Sequence, residues 1–421
     1  MQQNKPKLVV FSSLFPSKAQ PTAGLFIRER MFRVGQQLPL IVVSPKPWFP
    51  LQGLIRLFRP HFRPTVERVE QQQGFEVYQP RFLSIPGLAK SLDGALMALS
   101  LYFFMRRLRK RFQFDIIDSH FGYPDGYAAV LLGRWLKVPV TITLRGTEVR
   151  HSQDEALRPY LIKSLTGADR VFSVSDSLRR LALGLGVDPS RARVVANGVD
   201  AEKFFPADRH DMRQKLNLPD DAQVLITVGG LVERKGFHRV IEVLPALRES
   251  YPELHYLIVG GVSAEGDWSE KLKQQVADLG LQECVHFLGA MPPEALREPL
   301  STADVFVLST RNEGWANVLL EAMACGLPVV ATDVGGNAEV VPEEHLGTIV
   351  PFDDQNALQE ALNNALSRHW QRDEIIAYAC DNGWDKRVVQ LVGYFSQLTD
   401  AQMDRLDKIE PVGINAKGGH E

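Results

Sequence analysis

Short apolar runs recur along the chain, and between them the apolar positions spread out to a helical period. In the first half the runs predict strands at Leu8–Phe11, Leu40–Ser44, Phe75–Tyr78, Asp115–Asp118, Val140–Leu144, Arg170–Val174 and Arg193–Ala196. In the second half they predict strands at Val224–Val228, His255–Val259, Val285–Leu288, Val305–Leu308, Val329–Ala331 and Gly347–Val350. Helical patterns such as Phe237–Glu249 and Glu270–Leu279 fill the gaps. Runs apolar at nearly every position suit strands covered on both faces, and alternation with helices predicts parallel, doubly wound sheets. The fold class expected is α/β, with two doubly wound, Rossmann-like parallel sheets. The polar, proline-bearing stretch from Asp200 to Asp221 separates the two series. Residues 1–202 form one expected domain and 203–384 a second, with a helical segment at 385–400 and a polar, glycine-bearing, disordered tail at 401–421.

Composition narrows the classes. A chain of 421 residues exceeds a single core. The formal charge of −2 gives no global attraction to nucleic acid. Cys284, Cys325 and Cys380 are few and sit in apolar or helical contexts, so reduced thiols and a cytoplasmic setting are expected. The start runs straight into the first strand, and no apolar run has the length of a membrane span. Leu92 to Met105, followed by the basic Arg106–Arg111, reads as a helix packed on a sheet. With the basic, aromatic stretch Trp48–Arg63 it also offers peripheral contact with the inner face of a membrane.

Candidate chemistry concentrates in Glu313-Gly-Trp-Ala-Asn-Val-Leu-Leu-Glu321, where two carboxylates stand eight positions apart. An apolar strand precedes this stretch, and Asn317 is the expected cap of the helix that follows. Ligands of open α/β sheets bind at such strand ends. Amides from Asn317 to Leu319 at the helix start suit a diphosphate. Glu321 would repel phosphate but can accept hydrogen bonds from a ribose diol, leaving Glu313 for a second sugar. Two solvated surface acids would give the same spacing.

The words around this stretch favour the sugar nucleotide. Ala322-Met-Ala-Cys-Gly-Leu-Pro328, Asp333-Val-Gly-Gly-Asn-Ala-Glu339, Val228-Gly-Gly-Leu-Val-Glu-Arg-Lys-Gly236, Asn197-Gly-Val-Asp200 and His120-Phe-Gly-Tyr-Pro-Asp-Gly126 accompany it. In their order along the chain the blocks resemble the retaining glycosyltransferases of the GT-B fold, of the family 4 type, also called glycosyl transferases group 1. The resemblance spans most of residues 8 to 395. It implies that residues 1–202 bind the acceptor, that 203–384 bind the nucleotide sugar, and that 385–400 return to the first domain.

It also implies roles. Arg234 and Lys235 neutralise the leaving diphosphate, Glu313 supports the sugar, and His120 positions it from the acceptor side. Gly24, Gly230, Gly314, Trp315, Asn317, Val318, Leu319 and Glu321 complete the donor site. Many relatives carry arginine where Gly230 stands, which loads more of the charge onto Arg234 and Lys235 here. Relatives often have aspartate in place of Glu148. Glu339 is either a helix-initiating acid or a donor contact.

No Asp-x-Asp occurs and no histidines stand at ligand spacing, so neither metal nor cofactor is expected. The expected partners are a nucleotide-sugar donor and a glycan or lipid-linked acceptor, with no nucleic acid. The expected activity is metal-independent, retaining transfer of a hexose-type sugar in polysaccharide or glycolipid synthesis. A sugar-nucleotide epimerase of the same fold, or a non-catalytic sugar-nucleotide-binding assembly protein, stands as the alternative.

Overall fold

The structure is a computed structural model that describes residues 5–407 apart from 22, 51, 59–61, 86–89 and 264. Ten strands lie in its first part: β1 Leu8–Phe11, β2 Leu40–Val43, β3 Lys46–Trp48, β4 Val69–Gln72, β5 Phe75–Tyr78, β6 Arg81–Leu83, β7 Ile116–His120, β8 Val140–Leu144, β9 Arg170–Ser173 and β10 Ala192–Val194. Six follow in the second part: β11 Gln223–Val228, β12 Leu254–Val259, β13 Val285–Gly289, β14 Val305–Leu308, β15 Val329–Thr332 and β16 Gly347–Val350.

Eight of the first ten form one sheet in the order β10-β9-β8-β7-β1-β2-β5-β4. The second sheet runs β13-β12-β11-β14-β15-β16 and is parallel throughout. Central strands β1, β7, β8 and β14 are buried at every position, as runs covered on both faces require. On one face of the first sheet, Leu8, Val10 and Ile116 meet Ile27 and Met31 of the helix Leu25–Gly35. On the other, Val9, Ile117 and Ile142 meet Met97, Leu101 and Ala128.

The sequence pattern missed three strands. β4 pairs antiparallel with β5 at the edge of the sheet, and β3 and β6 form a separate two-stranded pair. β4 reads Val-Glu-Gln-Gln, which carries no apolar run. Its Glu70 is nonetheless buried, held by the side chains of Gln72 and Gln79, each at 2.9 Å.

The basic, apolar segment forms the helix Asp93–Phe112, which buries Met97, Leu101, Met105 and Leu108 against the sheet. Its outer side presents Leu99 and Phe103 beside the exposed Arg106, Arg107 and Lys110. Leu57 and Phe58 of the helix Gln52–Phe58 are exposed as well. No helix among the described residues is long and apolar enough to cross a membrane.

The last helix, Trp384–Asp407, leaves the second domain and packs on the helix Leu25–Gly35, where Val388, Leu391 and Phe395 join the core of the first. It runs past residue 400, so the boundary drawn there from sequence falls inside a helix. Residues 408–421, expected as a disordered tail, lie outside the described residues. Two chain segments thus cross between the domains side by side. Val199 donates its amide to the Asn382 carbonyl at 3.2 Å, and a side chain on Gly198 would sit 2.6 Å from the Trp384 nitrogen.

Candidate active site

Parallel strands deliver their carboxyl ends, and the loops that follow, to one edge of each sheet. After β11 the chain turns through Gly229 and Gly230 into a short helical turn, Glu233–Lys235. Gly236 follows at φ 77°, and a side chain there would overlap the Ser309 carbonyl at 1.7 Å. That close approach seats the basic turn against the end of β14. The loop after β14 carries Glu313. Its carboxylate accepts from Lys235 Nζ at 2.6 Å, Arg234 at 3.2 Å and Thr310 Oγ1 at 3.3 Å. Lys235 and Glu313 are both mostly covered, with side chains 15% and 11% exposed.

Glu265, not singled out from sequence, grips Arg234 from the other side through two bonds of 2.5 and 2.7 Å. This bidentate pair holds the Arg234 guanidinium above its usual pKa and the Glu265 carboxyl below the ordinary value. Nothing in the sequence pattern marks Glu265, since it stands in a glycine-flanked loop after β12 without a recognisable motif.

The second carboxylate of the pair lies elsewhere in the cleft. Glu321 sits on the helix Asn317–Ala324 and lines a cavity of about 200 Å³ with Leu25, Phe26, Glu29, Lys203 and Asn317. Burial, and then the nearby Glu29, push its pKa up to about 7, while Lys203 and Lys235 oppose that rise. Gly24 caps the helix that brings Leu25 and Phe26 into this cavity. Its φ is 72°, and a side chain there would meet the Leu14 carbonyl at 2.6 Å. Gly230 faces Ser263, whose Cβ would stand 3.0 Å from an added methyl.

Several expectations need correction. Asn317 is not the cap of its helix. Ala316 holds that position without a side-chain bond, and Asn317 is the first helical residue. Its Oδ1 instead accepts from Asn197 Nδ2, in the other domain, at 2.9 Å. Leu319 is fully buried and its amide donates to the Ala316 carbonyl at 3.1 Å, so it is not a free donor. Val318, beside it, packs against the core of the second domain.

Gly314 lies against the Arg145 carbonyl, 2.1 Å from where its Cβ would be, so its space is used for contact between domains. Trp315 packs against the cores of both domains and its Nε1 has no hydrogen-bond partner among the described residues.

His120 ends β7, but it does not face open space, being 0% exposed. Arg145 donates to its Nδ1 at 3.0 Å, and Asp118 Oδ2 lies 3.4 Å from its Nε2. Burial lowers the His120 pKa to about 4, with Asp118 resisting and the Arg145 and Arg30 charges assisting. Glu148 is a brace. Its carboxylate accepts from the amides of Gly122, Arg145 and Gly146 at 2.9 to 3.0 Å, locking the loops after β7 and β8 together. Glu339 stands in the first turn of its own short helix, yet its carboxylate reaches the other domain. There it accepts from the amides of Asp176 and Ser177 at 2.7 and 3.1 Å, at the positive end of the helix Asp176–Gly184.

Comparison with known proteins places this architecture. The family described as "Glycosyl transferases group 1" matches residues 208–381, and "Glycosyltransferase Family 4" matches residues 55–203. A D-inositol 3-phosphate glycosyltransferase of Corynebacterium urealyticum is 33% identical over 306 residues, covering 68% of this chain and 72% of that protein. The chain belongs to the group 1 glycosyl transferases.

This glycosyltransferase is also 35% identical, over 257 residues, to a GDP-mannose-dependent alpha-(1-6)-phosphatidylinositol monomannoside mannosyltransferase of Mycolicibacterium smegmatis. That match covers 56% of this chain and 65% of that protein. Among solved structures, HepE of Anabaena in complex with UDP superposes with a TM-score of 0.70 at 18% identity, over 93% of this chain and 100% of that one. The shared fold is GT-B. In this glycosyltransferase the two Rossmann-like domains meet where Arg145 touches Gly314, where Asn197 bonds Asn317, and where Glu339 caps a helix of its neighbour.

Proposed function

We propose that this glycosyltransferase moves a sugar, with retention of anomeric configuration, from a nucleoside-diphosphate sugar to an acceptor hydroxyl in polysaccharide or glycolipid synthesis. The observation that carries the reading is the cluster of Lys235, Arg234 and Glu313 at the carboxyl ends of β11 and β14. Two cations fixed beside a carboxylate suit a diphosphate next to a sugar. The diphosphate takes over the cations, and the released carboxylate meets sugar hydroxyls.

In this proposal the bond from the sugar's anomeric carbon to the phosphate oxygen breaks. The acceptor oxygen bonds to that carbon on the same face, and its proton passes to the departing phosphate oxygen. Lys235 and Arg234 hold the charge that develops there, without a divalent metal. Fixed charge of this kind is commonly the largest catalytic contribution. Glu321, in its own cavity, takes the ribose diol. The GDP-mannose dependence of one relative and the UDP bound in HepE support a nucleotide donor. The first domain then holds the acceptor. Its exposed Leu57, Phe58, Leu99 and Phe103, beside basic residues, suit a lipid-linked acceptor at an anionic membrane surface.

The test is transfer by the purified chain from a panel of nucleotide sugars, with chelator present, followed by mass spectrometry and anomeric NMR of the product. A glycoside of inverted configuration overturns retention. Turnover only with added divalent metal overturns the electrostatic part. A new sugar nucleotide formed without acceptor favours an epimerase. Sedimentation with vesicles of phosphatidylcholine and phosphatidylserine tests the membrane surface, and recovery of the chain in the supernatant at low salt removes it.

A further inference from the structure

Arg145 sits where three lines of contact converge. Its guanidinium donates to His120 Nδ1 at 3.0 Å and to Asn197 Oδ1 at 2.8 Å. Asn197 in turn donates from Nδ2 to Asn317 Oδ1 at 2.9 Å, and Asn317 opens the helix that carries Glu321. The Arg145 backbone touches Gly314, next to Glu313, and its amide is held by Glu148 at 3.0 Å. Phe26, which lines the Glu321 cavity, lies with its ring 5.1 Å from the guanidinium carbon.

The chemistry of these bonds has a fixed direction. A guanidinium has donors and no acceptor, so Nδ1 of His120 must be the accepting nitrogen. A neutral imidazole then carries its proton on Nε2, where the nearest acceptor is Asp118 Oδ2 at 3.4 Å. Asp118 is itself occupied on Oδ1 by Thr141 at 2.6 Å. Polar groups therefore follow one another from Thr141, inside the first sheet, to the first helical residue of the second domain, with hydrogen bonds at every step except the 3.4 Å approach of Asp118 to His120. Asn197 has one carbonyl and one amide group, and both are engaged. Separating the domains breaks its bond to Asn317 and loosens its hold on Arg145.

We infer that Arg145 is a positioning residue for transfer: it sets His120 as the Nε2-protonated tautomer and ties that setting, through Asn197, to contact between the domains at Asn317. The inference rests on the reading that transfer takes place in the cleft between the two domains. A closed cleft thus fixes the tautomer of His120, and an open one releases it.

The groups that face His120 are Asp118 on its own strand, Arg145 on the loop after β8, and Arg30 on the helix Leu25–Gly35. Two of the three are cations, so removing Arg145 must raise the pKa of His120 toward its ordinary value of about 6.5.

The experiment is long-range proton–nitrogen NMR of the full chain labelled in histidine, with His120 assigned by the loss of its signals in His120→Gln. In the unaltered protein His120 shows the Nε2-protonated pattern and stays neutral at pH 6. In Arg145→Met the tautomer preference is lost and the titration midpoint moves up. Asn317→Ala, a neutral change in the other domain, also mixes the tautomers. Asn197→Ala lowers kcat about tenfold or more, the scale of a catalytic group moved off position, with little change in donor KM.

An unchanged His120 pattern in Arg145→Met overturns the inference, and so does an unchanged pattern in Asn317→Ala. Should Arg145→Met not fold, the two asparagine variants decide the matter alone. The imidazole spectrum needs no substrate, so its outcome is separate from whether transfer occurs.

Discussion

Replacing Glu313 by glutamine should strengthen binding of the bare nucleoside diphosphate while weakening sugar transfer. Glu313 lies 2.6 Å from Lys235 Nζ and 3.2 Å from Arg234. At an effective dielectric of about 20, each contact has a gross attraction of roughly 5 to 6 kcal/mol, most of it offset by desolvation and retained hydrogen bonding. A diphosphate that seeks the same cations must compete with this attraction. Removing the charge but keeping the shape should therefore favour the diphosphate by about 1.4 kcal/mol, or about tenfold in Kd. Transfer should fall by about a hundredfold or more, because the carboxylate that supports the sugar is gone. Isothermal titration with UDP and GDP, alongside initial rates with the preferred donor, measures both quantities. Equal or weaker binding by Glu313→Gln would refute the competition. Undiminished transfer would remove Glu313 from the mechanism.

Other outcomes follow from the same geometry. Glu321, with a pKa near 7, is partly protonated at neutral pH, and a ribose diol favours its charged form. Nucleotide binding near pH 7 should therefore release a proton, seen as a buffer-dependent heat that Glu321→Gln abolishes. Because this pKa lies above the ordinary 4.5, ionising Glu321 should cost stability as pH rises from about 4.5 to 7. His120 has the opposite sign. Its pKa is depressed from 6.5 to about 4, so its contribution should be lost as pH falls through that window, and His120→Gln should flatten the acid side of a Tm profile. Glu339→Gln should weaken the cap on the helix Asp176–Gly184 by about 1 kcal/mol and increase the radius of gyration in X-ray scattering, while Glu343→Gln, on the solvent side, should not. Gly314→Ala should push the Arg145 loop away and reduce transfer at least tenfold with the domains still folded, as read by kcat and circular dichroism.

The sheets were legible because buried parallel strands leave continuous apolar runs, as in Leu8–Phe11 and Val305–Leu308. The polar edge strand β4 and the three-residue β6 leave no such mark, since pairing of so short a strand is satisfied by backbone bonds alone. Within the site, Lys235 and Glu313 could be singled out because each follows a strand end closely in sequence. Glu265 and Arg145 belong to the same site through folding, at separations of 31 residues from Arg234 and 25 from His120. His120 and Asn317 show the other failure. His120 ends its strand as expected and Asn317 stands one position further into its helix than expected, but whether a side chain turns to the cleft or to a neighbour depends on packing across two domains. Glu339 is of the same kind, since its partners are amides on a helix that begins 163 residues earlier.

The paired passage of the chain between its halves has a mechanical meaning. Residues 198–200 and 382–384 run alongside each other, joined by the Val199–Asn382 bond. A lone linker would let one half swivel, slide and twist on the other. Two neighbouring linkers behave like the pins of a door and favour rotation about the line through them. A swing about that line would return Lys235, Glu313 and Arg145 to the same relative places, so reproducible alignment would be a property of the joint as much as of the residues it brings together.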